Sequence, residues 1–158
     1  MQRFLKLALA TLVLTSTAAA FAADNSLGTW KMNVEKSKYT PGPLPVKNVT
    51  SVREAAGDGV KVSNSGERSD GTAINATYTA KYDGSAATVS GTGAPYDTVS
   101  IKKISDNAFT YDAKSGKTKY HVHGRITVAA GGKTMTTRAR GTDADGKPIT
   151  VTLVYEKQ

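Results

Sequence analysis

The sequence predicts an all-β domain: an antiparallel up-and-down meander of about ten short strands closed into a barrel, with a two-sheet β-sandwich as the alternative. Three observations predict it. From Lys47 onward, runs rich in Thr, Val, Ile and Tyr alternate with short turns built on Gly, Asp, Asn and Ser. Within those runs apolar and polar residues alternate with period 2, so that each strand has one face to bury. After residue 22, no stretch carries a 3.6-residue apolar period over a helical length, because glycine and β-branched residues interrupt every candidate.

The elements follow in order. Arg3 and Lys6 precede an apolar run from Leu7 to Leu14, and a small-residue segment ends in Ala20-Phe21-Ala22. That is the pattern of a cleavable secretory signal, expected to be cut after Ala22 to leave residues 23–158 as a single domain. The apolar run is far shorter than the ~20 residues of a membrane-spanning helix. Gly28 to Asn33 reads as the first strand. In Tyr39-Thr40-Pro41-Gly42-Pro43-Leu44-Pro45, three prolines remove amide donors and exclude a regular ladder. A stiff surface loop is the favoured reading of this connector, with a lid carried across an open barrel end as the alternative.

Turn signals then recur at Gly57-Asp58-Gly59, Ser69-Asp70-Gly71, Asp83-Gly84, Ser105-Asp106-Asn107, Ser115-Gly116, Gly131-Gly132 and Asp145-Gly146. Between them, Ile74, Ala76, Tyr78, Ala80 and Tyr82 share one face. Tyr120, Val122, Ile126 and Val128 oppose Lys119, His121, His123, Arg125 and Thr127, and Ile149, Val151, Leu153 and Tyr155 oppose Thr150, Thr152 and Glu156.

Composition narrows the functions available. The chain has no cysteine, hence no disulfide and no acylated lipoprotein start. Loss of Arg3 and Lys6 with the leader lowers the net charge from +8 to +6. A free periplasmic or secreted protein of the bacterial envelope is expected, its basic surface suited to anionic lipid, lipopolysaccharide or acidic glycan. Export argues against nucleic acid, and the interrupted apolar faces argue against stable insertion as an outer-membrane barrel. The oligomeric state is left open.

The segment Leu27-Gly28-Thr29-Trp30-Lys31-Met32-Asn33 carries a Gly-x-Trp on a first strand that resembles the opening signature of lipocalin-like (calycin) barrels. The resemblance implies that Trp30 plugs the closed end beneath a basic residue from a late strand, by position Arg138 or Arg140. With Lys36-Ser37-Lys38 and Pro41-Gly42-Pro43 added, the chain also resembles, over most of its mature length, a group of small exported bacterial proteins. That likeness implies an envelope location and lends no chemistry.

Candidate sites are few. His121-Val122-His123 puts two imidazoles on one strand face, a spacing used by metal sites, but a zinc needs further ligands and the polar face favours solvated surface histidines. Six of the nine aspartates sit in turns, where they bond backbone amides, and no nucleophile elbow or phosphate loop is present. Arg138-Ala139-Arg140 adjoins Lys119, His121, His123 and Arg125 if the strands flanking Gly131-Gly132 form a hairpin, giving a stripe that binds a headgroup if it faces inward and forms a cationic surface if outward. Tyrosines Tyr78, Tyr82, Tyr111, Tyr120 and Tyr155 fall mostly on apolar faces. The expected function is binding or carriage of a small amphipathic or anionic molecule, with Trp30, Tyr78, Tyr120, Arg138 and Arg140 as ligand contacts and no cofactor. The alternatives are an envelope interaction module with a filled core and a metal-dependent hydrolase using His121 and His123.

Overall fold

The computed structural model describes residues 23–158; the leader and its cleavage site at Ala22 lie outside the described residues. Eleven strands follow in chain order: β1 (Gly28–Thr40), β2 (Val46–Ala56), β3 (Gly59–Arg68), β4 (Ala73–Lys81), β5 (Asp83–Thr88), β6 (Ser90–Thr92), β7 (Thr98–Ser105), β8 (Ala108–Lys114), β9 (His121–Val128), β10 (Thr134–Thr142) and β11 (Pro148–Lys157). They form one antiparallel sheet in the order β5-β7-β8-β9-β10-β11-β1-β2-β3-β4-β6. The two outermost strands are consecutive in the chain, so the sheet is a nearly closed barrel. One ribbon bridges the seam, with Ala86, Ala87 and Thr88 paired to β7 and Ser90, Gly91 and Thr92 paired to β4. Closure removes the free edges that an open meander would leave.

The expected meander is therefore present, with two departures. The run from Asp83 to Thr92 divides into β5 and β6, which raises the count to eleven. And β1 does not stop at Asn33: its register against β11 jumps from Asn33↔Val154 to Lys38↔Thr152. Val34 to Ser37 bulge out of the ladder, and Ser37 stitches the gap by donating from Oγ to the Asn33 carbonyl (2.7 Å) and accepting from the Val154 amide (3.0 Å).

The turns fall where the glycine-rich signals place them except at Asp83-Gly84, which opens β5 with Asp83 paired to Lys102 while the turn itself sits at Tyr82, and the assigned faces hold. Ile74, Ala76, Tyr78 and Ala80 of β4, Val122, Ile126 and Val128 of β9, and Ile149, Val151 and Tyr155 of β11 are buried. One end of the barrel is packed solid around Trp30, Val60, Ile101 and Phe109, all fully buried. Residues 24–27 cross this end, with the Asn25 amide donating to the Asp106 carbonyl (3.1 Å). At the other end the loops are laced together: Ser69 N donates to the Pro45 carbonyl (3.1 Å), Asp97 N to the Lys114 carbonyl (3.1 Å) and Lys119 N to the Ala144 carbonyl (3.1 Å).

Candidate ligand-binding cavity

Beyond the end packed around Trp30 and Phe109, side chains line the interior without filling it. A cavity of about 330 Å³ opens there, within the size range of small-molecule sites. Its walls are mainly apolar, from Met32, Val49, Val62, Ile74, Val122, Ile126, Met135, Val151 and Leu153. The proline-rich connector contributes Leu44 and Pro45 to the lining.

Six tyrosines line the chamber: Tyr39, Tyr78, Tyr96, Tyr111, Tyr120 and Tyr155. Tyr96, in the β6–β7 loop, stacks on Tyr120, just before β9, with centroids 6.1 Å apart and planes at 27°. Burial raises all of their phenols above the ordinary 10.0. For Tyr96 the rise, to about 12, is opposed by a hydrogen bond with Tyr111. For Tyr78 it is reinforced by Tyr96 and opposed by the Arg53 guanidinium. The rings thus present neutral hydroxyls and apolar faces at neutral pH.

Charge enters from an unexpected strand. Along β2 the alternation Val49, Ser51, Arg53 points inward, and the ladder sets Arg53 opposite Val62, itself opposite Tyr78. Arg53 is 4% exposed. Its Nε donates to Ser26 Oγ (3.3 Å), and Ser26 Oγ in turn donates to Asp24 Oδ1 (2.7 Å). Asp24 also accepts from the Ser26 amide and from the Tyr82 hydroxyl. Arg53 Nη2 is buried without a hydrogen-bond partner among the described residues. A buried donor left unpaired costs about 1–3 kcal/mol, more on a charged group, so this atom marks a place where an acceptor is wanted. The mouth carries a second cation, Arg68, whose Nη1 donates to the Gly93 carbonyl (3.1 Å), together with Asp143 and Asp145.

Of the expected contacts, Tyr78 and Tyr120 line the cavity. Arg138 and Arg140 do not. Met135, Thr137 and Ala139 are the cavity-lining residues of β10, which leaves both arginines on the outer face, opposite Arg125 and His123. Trp30 is likewise outside the cavity lining: it belongs to the closed end, fully buried, with Nε1 donating to the Ser26 carbonyl (2.8 Å). The cation over its ring is Lys157, with Nζ 5.2 Å from the centroid, and not Arg138 or Arg140. Trp30 and Lys157 are ladder partners, and Gly28 leaves room for the lysine stem: a Cβ there would sit 2.9 Å from Lys157 Cε. The hairpin of β9 and β10 aligns the basic stripe as expected, but outward. His121 and His123 stand on that surface, 6.2 Å apart, with His121 Nε2 2.8 Å from Asp112 Oδ2. Among the described residues no three His, Cys, Asp or Glu side chains converge.

Compared with known proteins, the chain matches no family model and no curated protein. Similar solved structures include EF1p2_mFAP2b bound to DFHBI, with a TM-score of 0.48 and 13% identity, over 85% of this chain and 94% of that one. They also include two redesigned beta barrels bound to DFHBI: mFAP1, at TM-score 0.42 and 17% identity over 82% and 94% of the two chains, and mFAP0, at 0.45 and 15% over 85% and 100%.

Proposed function

We propose that this protein is an exported, extracytoplasmic carrier or binder of a small amphipathic molecule, held in the barrel cavity. The observation that carries the reading is the unfilled part of the interior: an apolar, tyrosine-lined chamber with one packed and one open end, in a barrel of more strands than the roughly eight whose interior side chains can just fill. The export signal read at residues 1–22 supports the location. Gly28, and Trp30 beneath a cation from the last strand, support a place among lipocalin-like barrels. Expressed with its leader in a bacterial host, the protein is expected in the periplasm with Ala23 as its first residue. Native mass spectrometry is expected to release one small molecule per chain. A cytosolic full-length product would overturn the location, and an adduct-free chain that takes up no apolar probe would overturn the binding role.

A second reading concerns the outside. Arg125 and Arg138 face each other directly across β9 and β10, and neither they nor Arg140 make an ion pair or hydrogen bond among the described residues. Opposed like charges destabilise a sheet, so an anionic surface that meets this face relieves a standing repulsion. Binding to phosphatidylglycerol vesicles that weakens steeply with added salt supports this reading. Absent or salt-insensitive binding contradicts it.

A further inference from the structure

We propose that the cavity is specific for a molecule with a single compact oxyanion, a carboxylate above all, anchored on the Arg53 guanidinium at its base; this rests on the reading of the cavity as a ligand site. Arg53 brings a permanent cation into an apolar chamber. Its Nε donates to a neutral hydroxyl, the neutral Tyr78 hydroxyl is the guanidinium's other side-chain partner, and Asp24 connects to it through the Ser26 hydroxyl. Asp24 is meanwhile held by the Ser26 amide and the Tyr82 hydroxyl. The cation therefore has no carboxylate against it, and Nη2 has no acceptor among the described residues. An arginine serving the fold alone would have its fork filled by backbone or carboxylate oxygens.

The surroundings select the ligand further. Ser51 and Asn64 are ladder partners on the neighbouring rung and line the same chamber, placing a hydroxyl and an amide near the remaining lone pairs of a bound carboxylate. Above them Tyr96, Tyr111 and Tyr120 offer flat apolar faces to the body of the molecule. Arg68 is not a rival anchor, since its guanidinium already serves the Gly93 carbonyl and lies 3.9 Å from Asp70. Asp143 and Asp145 at the mouth disfavour ligands carrying several negative charges.

The test compares naphthoate with its methyl ester, two probes of one shape that differ in charge, by calorimetric titration. The wild-type protein is expected to bind naphthoate on the order of tenfold more tightly than the ester, the worth of a charge-assisted hydrogen bond. In Arg53→Met the ester is expected to bind as before while the preference disappears. In Arg53→Lys, which keeps the charge but not the fork, part of the preference returns. Equal binding of acid and ester by the wild-type protein overturns the anchor while leaving the cavity reading intact, and needs no variant to have folded. Retained preference in Arg53→Met does the same. Failure of both probes to bind overturns the cavity reading itself.

Discussion

Gly28 and Trp30 show how a short motif works at the scale of single residues. The tryptophan fills the closed end and satisfies its indole N–H on the Ser26 carbonyl. The glycine, at φ 120°, lies under the Lys157 stem. Trp30→Ala is expected to destabilise the fold by about 3–5 kcal/mol in urea denaturation. Lys157→Met should cost no more than about 1 kcal/mol, since an exposed cation over a ring contributes little. The burial of Trp30 was legible in the sequence, but its partner was not. Which late cation arrives depends on the β1–β11 register, and that register carries a bulge hidden in Val34 to Ser37. Arg53 was missed for another reason. It keeps period-2 phase with Val49 and Ser51, but Lys47, Asn48, Thr50 and Glu54 make both faces of β2 read as polar, so alternation names no inner side.

Among the elements, the strands with one clean apolar face, β4, β9 and β11, were readable residue by residue, whereas β1, β5 and β6 were not, because bulges and a split pairing break the period there. The β9–β10 hairpin depends on close backbone approach at Gly124. A Cβ at this position would lie 1.9 Å from the Arg138 carbonyl oxygen, so Gly124→Ala must push two ladder strands apart. It is expected to lower the melting temperature sharply or abolish soluble expression. Gly116→Ala in the β8–β9 loop, where the nearest atom is Asp97 Oδ2 at 3.5 Å, should melt close to the parent. The same hairpin explains why a correctly grouped basic stripe was open as to side: alternation groups Arg138 with Arg140, but only the burial of Met135 and Ala139 decides which way they face.

Across the whole molecule, the tyrosine-lined interior couples protonation to stability. Burial, then a hydrogen bond with Asp24, pushes Tyr82 up to about 12, and burial does the same for Tyr96, against an ordinary 10.0. A phenol raised in the folded state stabilises the fold fully below its unfolded value, and that contribution is lost as pH climbs from about 10 towards 12. Tyrosinate absorbance should therefore rise together with the loss of near-ultraviolet circular dichroism, above the ordinary value. Titration of all seven tyrosines near 10 with the fold intact would contradict their placement. The central claim, that the open half of the barrel accepts a small molecule, is tested most directly by titrating the uncharged fluorophore N-phenyl-1-naphthylamine into the protein and into Thr137→Phe, which projects a ring into the chamber from β10. Saturable one-to-one enhancement in the parent, lost in the folded variant, is the predicted result. No saturable enhancement, or equal binding by both proteins, would contradict it.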